Sequence, residues 1–250
     1  MVRKRAVAAD EVSLPGIKLP PLYSMLTPLT PERHEGLRLR PMRDFGHAAG
    51  LNAVPLTADE FPRAMRDYPI VLAGGSGHMP VALVGLTTGR NDQVDEGGAW
   101  AEGRYVPAYL RRYPFMLVRE GEGSDRSILC ADVTSTLFTE DPEEGQPLFE
   151  DGAAGPALSR ILDFCTRYET AMARTRAVMA DATALDLVQP SRVEVNRDGR
   201  TGRIEGFALV AEERVRALPD DKLADLARRG VLSLFAAHQM SLSNFTGFGA

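Results

Sequence analysis

Hydrophobic and polar positions alternate over short distances in the first half of the chain and fall into helical spacing in the second. Gly36-Leu-Arg-Leu39 alternates and stops before Pro41, which predicts a short strand; Phe45 to Val54 predicts another, irregular at its glycines. Thr57 followed three residues later by Glu60 is a capping box, and it predicts a short helix through about Arg66. Tyr68-Pro-Ile-Val-Leu-Ala73 and Val81-Ala-Leu-Val-Gly-Leu86 read as two strands turned by Gly74-Gly-Ser-Gly77, a hairpin. Val106 to Arg112 has helical spacing, and Pro114 favours an extended exit at Tyr113. Phe115 to Val118 and Ser127 to Ala131 predict paired strands across Gly121-Glu-Gly-Ser124.

From Pro156 the period changes. Leu158, Ile161, Cys165, Tyr168, Met172 and Met179 recur at threes and fours, predicting an amphipathic helix of about 20 residues. Arg192-Val-Glu-Val195 and Gly202 to Val210 flank Asn196-Arg-Asp-Gly199 and predict a second hairpin. Helical spacing resumes at Glu212, breaks at Pro219, resumes at Asp220 and is interrupted at Gly230, so the chain is expected to end strand, strand, helix, helix. The expected fold class is α+β: a mixed or antiparallel sheet core, a long amphipathic helix, and a C-terminal hairpin plus helices. Residues 1–20, with Pro15 and the Pro20-Pro21 pair, are expected to be flexible, and 21–250 to form one domain. Within it, 191–250 is a hairpin-helix subregion expected to pack on the body, because one hairpin with short helices has too little core to stand alone.

Composition narrows the function classes. At 250 residues the chain can bury a core without staples, and its net charge of −5 argues against a general affinity for nucleic acid or anionic lipid. The basic start, Met-Val-Arg-Lys-Arg, leads into Asp10-Glu11 without an apolar run, so no secretory signal is predicted; apolar runs are too short to span a bilayer. Cys130 and Cys165 follow no disulfide or metal pattern and read as buried thiols, so the expected location is cytoplasmic.

Candidate chemistry is sparse. Gly74-Gly-Ser-Gly77 precedes His78-Met-Pro80 instead of the Lys-Ser/Thr of a phosphate loop or the helix of a dinucleotide fingerprint, so no cofactor is expected. His34, His47, His78 and His238 share no ligand spacing, and the acidic Thr139 to Gly145 stretch lacks the alternation of a calcium loop; no metal is expected. His34, in a charged loop, is the best acid–base candidate, without a nucleophile tied to it. Ser76 lacks the frame of a nucleophile elbow. Asp132-Val-Thr-Ser135 puts a carboxylate and two hydroxyls at a strand end.

The densest region is Trp100 to Phe115. It holds the only tryptophan, three of six tyrosines, and Arg104, Arg111 and Arg112. Such rings and guanidinium groups cluster where a protein both packs and recognises something polar. Glu102, Tyr105, Tyr109 and Arg112 could line one side of a turn or short helix, and Arg40, Arg111 and Arg112 could contact an anion. The candidate ligand-binding set is therefore Trp100, Glu102, Tyr105, Tyr109, Arg111 and Arg112, with Asp132 and His34.

These pieces in order resemble the SapC family, a bacterial family of about this length. The resemblance rests on Tyr23-x5-Leu29 with His34, Val54-Pro-Leu56, Glu60-Phe61, Asp67-Tyr-Pro-Ile-Val71 and Ala82-Leu-Val-Gly-Leu86. It continues through Gly98 and Trp100, Tyr105-Val-Pro-Ala-Tyr-Leu-Arg-Arg-Tyr-Pro-Phe115, Leu148-Phe149, Gly206-Phe-Ala-Leu-Val210, Leu218-Pro-Asp220 and His238 through Asn244. The family takes its name from genes linked to bacterial surface layers and is sometimes labelled a peptide-transport permease, a label at odds with the missing spanning segment. Relatives also lie near flavin-dependent halogenases, cupin-like proteins and outer-membrane nutrient receptors. The family brings no catalytic set. Its more hydrophobic stretch after a central Asn reads Asn91-Asp-Gln-Val94 here.

The resemblance and the residues together imply a soluble accessory protein that binds a peptide, a protein partner or a polar metabolite, and that could form a homo-oligomer. The competing reading is an enzyme modifying a peptide or small molecule, with a partner supplying any cofactor. A third, a surface-layer component, wants an export signal that the sequence does not present.

Overall fold

A computed structural model describes residues 19–75, 77–121, 126–197 and 200–249. The expectation of flexibility for residues 1–20 falls almost wholly outside them, as does Ser76. In chain order, β1 (Thr27–Pro28), α1 (Pro31–His34) and β2 (Arg38–Leu39) come first. They are followed by β3 (Ala53–Pro55), α2 (Phe61–Ala64), β4 (Ile70–Ala73), β5 (Pro80–Leu83) and α3 (Ala108–Arg111). Next, β6 (Phe115–Arg119), β7 (Ser127–Ala131), β8 (Phe138–Thr139), β9 (Gln146–Pro147), β10 (Phe149–Glu150) and β11 (Ala153–Ala154) lead to α4 (Pro156–Ala184). The chain then forms β12 (Val188–Arg197), β13 (Arg200–Val210), α5 (Glu212–Arg216), α6 (Asp220–Arg228), α7 (Val231–Ser241) and a run of 3-10 turns over Leu242–Gly249. The architecture is α+β, as the hydrophobic pattern predicts. The chain divides into two units, each assembled from two separate stretches.

The first unit draws on the chain up to Met42 and on Arg112–Thr166. Its main sheet has the order β1-β7-β6, all antiparallel, with Phe115 opposite Ala131 and Thr27 opposite Ala131 on the other edge. A second small sheet runs β8-β2-β9. Gly145 allows that close pairing: its φ is +69°, and a Cβ there would lie 2.5 Å from the Leu39 carbonyl oxygen. Phe115, Phe138, Leu148, Phe149, Leu158 and Cys165 form one core, in which the Phe115 and Phe138 rings meet edge-on at 5.6 Å. The predicted strands at Phe115 and Ser127 are these paired strands; part of the loop between them lies outside the described residues.

The second unit comprises Arg43–Arg111 and Arg167–Ala250. Its five-stranded antiparallel sheet has the order β12-β13-β4-β5-β3. Both predicted hairpins are present, β4–β5 and β12–β13, and β13 joins them by pairing Phe207 with Ala73 and Ala208 with Leu72. The tip of the second hairpin, Asp198-Gly199, lies outside the described residues. Two expectations need correction. Phe45 to Val54 is not one strand: Gly46–Ala48 is a 3-10 turn and only Ala53–Pro55 pairs, because the chain around the glycines turns on itself. The C-terminal section contains three helices where the sequence predicts two, since Gly230, at φ +73°, separates α6 from α7.

Helix α4 runs 29 residues, longer than predicted. It opens on Pro156, whose missing N–H costs nothing in a first turn. Its stripe is buried as the spacing requires, with Leu158, Cys165, Tyr168 and Met179 all at 5% exposure or less. It ends at Ala184 and the chain turns away at Asp186, in the left-handed region with φ +53°, where Leu187 N–H turns back to the Ala182 carbonyl at 2.8 Å. Residues up to Thr166 belong to the first unit and those from Arg167 to the second.

Candidate functional site

The capping box that opens the 3-10 turn Ala58–Glu60, just ahead of α2, is the centre of the aromatic–arginine region. Glu60 is buried, 6% exposed, and its carboxylate accepts four hydrogen bonds. Its Oε2 takes the Thr57 N–H at 2.8 Å and the Thr57 hydroxyl at 3.0 Å, closing the local box. Its Oε1 takes the Tyr105 hydroxyl at 2.9 Å and the Ala108 N–H at 2.7 Å. A neighbour in the box ties it to α4: Ala58 N–H donates to Thr175 Oγ1 at 2.8 Å, and Arg174 pairs with Asp59 at 2.7 Å. One carboxylate thus caps its own turn and fixes a segment 45 residues on.

That segment is held by its backbone as well. Tyr105 N–H donates to Asp67 Oδ2 at 2.7 Å, and the Tyr105 carbonyl accepts the Tyr68 hydroxyl at 2.7 Å. Trp100 donates its indole N–H to the Tyr68 oxygen at 3.2 Å and meets Phe45 edge-on at 5.5 Å. Arg104 lies 3.7 Å from Asp67. Burial raises the Tyr68 phenol well above the ordinary tyrosine range, against the opposing pull of the Trp100 hydrogen bond. Burial, with the Glu60 charge beside it, pushes the Tyr105 phenol up to about 12. Both hydroxyls therefore remain protonated donors throughout the neutral range.

Of the residues singled out in sequence, Trp100, Tyr105 and Arg111 come together in this unit. Arg111 is exposed; its Nε donates to the Val106 carbonyl at 3.1 Å, its Nη2 to the Tyr105 hydroxyl at 3.1 Å, and its guanidinium lies 5.7 Å over the Tyr105 ring. Tyr109 is buried, 2% exposed, within α3. Glu102 is exposed in a turn, so the expected common face with Tyr105, Tyr109 and Arg112 is not a helix face: only Ala108–Arg111 is helical.

Arg112, Asp132 and His34 belong to the first unit. Arg112 is buried, with its guanidinium 5.7 Å over the Tyr23 ring. Tyr23 in turn donates its hydroxyl to the Phe115 carbonyl at 2.8 Å and meets Tyr113 edge-on at 5.5 Å. Asp132 is fully buried: Oδ2 accepts the Ser24 N–H at 2.6 Å, and Oδ1 accepts the Thr134 hydroxyl at 2.5 Å and N–H at 3.1 Å. Burial, with the Asp132 charge nearby, raises the Tyr113 phenol against a hydrogen bond with Ser135. His34 is half-buried and accepts the Thr30 N–H at Nδ1, 3.2 Å, across the start of its own helix. Sequence reasoning misses Glu60, Asp67, Tyr68 and Tyr23 as organisers. The capping-box spacing marks Glu60, but nothing local shows its second oxygen serving a distant segment.

Among the described residues, no group of three or more His, Cys, Asp or Glu side chains converges as a metal site would require. No helix among them is long and apolar enough to cross a membrane. The chemistry offered by the aromatic segment is an exposed guanidinium, oriented in advance by a tyrosine that a buried carboxylate holds. Fold and site together define an α+β protein of two units that presents a braced aromatic–arginine segment. The SapC family model matches residues 29–247, and the chain belongs to the SapC family. Neither a search of curated proteins nor a search of solved structures gave a match.

Proposed function

We propose that the chain is an accessory binding protein that recognises a peptide or polar metabolite through an anionic group. Arg111 is the proposed anion contact, and Trp100, Glu102, Tyr105 and Tyr109 form or support the surface around it. The single observation that supports the reading most is the fixing of an exposed guanidinium by Tyr105, itself anchored on Glu60. An arginine so held has lost much of its conformational freedom before any ligand arrives, and its planar fork matches a carboxylate in two parallel bonds. The family's relatives near flavin-dependent halogenases and cupin-like proteins hint at peptide or metabolite modification, which supports both ligand classes.

The test is calorimetric titration with short peptides carrying either a free or an amidated C-terminal carboxylate. Saturable binding of the free-acid peptides, at least tenfold weaker after amidation or in Arg111→Ala, is expected. Arg111→Lys restores little, because a point charge cannot reproduce the fork. Equal binding of both peptide forms, or unchanged binding in Arg111→Ala, refutes the assignment.

A further inference from the structure

A cleft of about 630 Å³ lies in the second unit, between the β4–β5 loop and the last turns of α4. Gly77 and Met79 form the loop side. The helix side is Arg176, Met179, Ala180, Thr183 and Ala184, one stripe at helical spacing. This volume is within the usual range for a small-molecule site, about 300–1,000 Å³. At Gly77, φ is +93° and a Cβ would meet nothing within 4 Å, so the loop wall stands clear of the helix.

The polar groups on this lining are few and unequal. The Thr183 hydroxyl already donates to the Met179 carbonyl at 2.9 Å. Arg176 is exposed and, among the described residues, forms no ion pair or hydrogen bond through its side chain. Its charged neighbours on α4 are engaged elsewhere, Arg174 with Asp59 and Asp181 with Arg229. No carboxylate stands three or four residues from Arg176 along the helix, where Met172, Ala173, Met179 and Ala180 are found. A single uncompensated positive charge therefore sits at one end of an otherwise apolar groove. Met79 lines it half-buried on the loop side, and Met179, 1% exposed, closes it from the helix side, flexible and polarisable side chains suited to an alkyl chain of variable contour.

We propose that this cleft binds a monoanionic amphiphile: a carboxylate head on Arg176 and a linear apolar chain laid along Met79, Met179, Ala180 and Ala184. One guanidinium balances one negative charge in a bidentate pair, which favours a carboxylate over a doubly charged phosphate monoester. From Arg176 to Ala184 the helix rises about 12 Å, enough for a medium-length chain. The cleft shares no residue with the Arg111 surface, so each assignment stands or falls alone.

The probe is decanoate, titrated into the full chain labelled at its methionine methyl groups, with decanol and decyl phosphate in parallel. Expected are saturable shifts of the Met79 and Met179 methyl signals with decanoate, and at least tenfold weaker binding of decanol. Arg176→Ala weakens decanoate at least tenfold and leaves decanol unchanged. Ala180→Trp, at an exposed helix position, retains the helical spectrum and abolishes both. Absence of saturable shifts, or decanoate binding that survives Ala180→Trp, overturns the site. Equal binding of decanol and decanoate overturns the role of Arg176, and tighter binding of decyl phosphate overturns the carboxylate head.

Discussion

Replacing Glu60 by Gln tests the claim that a capping residue carries the aromatic segment. The substitution keeps size and shape but turns one acceptor oxygen into an NH2 donor. All four partners of Glu60 are donors, two on each oxygen. Whichever way the amide turns, one backbone N–H loses its acceptor and faces the NH2, while the hydroxyl on that side must turn round to accept from it. Hydrogen bonds to a charged group are each worth about 1.5–3 kcal/mol, so one stranded N–H sets the expected loss at about 2–3 kcal/mol. For a chain of this size each kcal/mol shifts the midpoint by about 2–4 °C, giving a fall of about 4–12 °C. The assay is thermal and urea unfolding followed by the fluorescence of Trp100, which lies in the same unit as Glu60. Tyr105→Phe removes one donor to Glu60 and, on the exposed side, the acceptor of Arg111 Nη2, and costs about 1–2 kcal/mol. In the double variant the two losses do not add, because both changes disturb the same Glu60–Tyr105 hydrogen bond. A Glu60→Gln variant within about 0.5 kcal/mol of the parent, a change typical of an ordinary surface site, refutes the reasoning.

Two further predictions concern the rest of the molecule. Asp132→Ala takes the acceptor from the Ser24 and Thr134 N–H groups, which water can partly re-satisfy because both residues are exposed, and costs the first unit about 1–2 kcal/mol; hydrogen exchange over residues 22–29 should quicken, and unchanged protection there counts against the anchor. His238 is buried, accepts the Val210 N–H at 3.1 Å, and burial pushes its pKa down to about 4 from 6.5. The unfolded chain therefore binds a proton that the folded chain refuses between pH 6.5 and 4. Stability is undiminished above 6.5 and falls by about 3 kcal/mol in total as pH drops to 4, where the loss levels off. Urea unfolding at about pH 7.5, 5.5 and 4.5 reads this slope, which His238→Gln should flatten; a slope unaltered by that change assigns the acid sensitivity elsewhere.

The parts of the fold legible in sequence are those whose signal is local. The α4 stripe and the two hairpins announce themselves within a dozen residues, since helix and strand periods need only near neighbours. The Phe45 to Val54 expectation fails because alternating apolar residues look the same whether they pair in a ladder or turn inward one by one. Helix α4 outruns its prediction because the stripe ends at Met179, while the last turn, Ala180-Asp-Ala-Thr-Ala184, carries no large apolar residue to extend it. At the site, composition locates the aromatic segment, while its organisation depends on partners far away in the chain. Asp67, Tyr68 and Glu60 carry no sequence mark of the bonds they make to Tyr105.

The antiparallel contact of β4 with β13 also bears on how the chain must be made. As the polypeptide emerges from the ribosome, β4 and β5 can close their hairpin early, but the outer edge of β4 waits for a strand more than a hundred residues downstream. The Ile70 N–H waits longer still, for Ser241 Oγ, 171 positions later. During that interval a wholly apolar strand, Ile70-Val-Leu-Ala73, offers unpaired backbone to any extended neighbour. Nascent chains stalled before β13 are therefore the dangerous species for this protein, and shielding of that edge by a chaperone matters most while the second unit is half made.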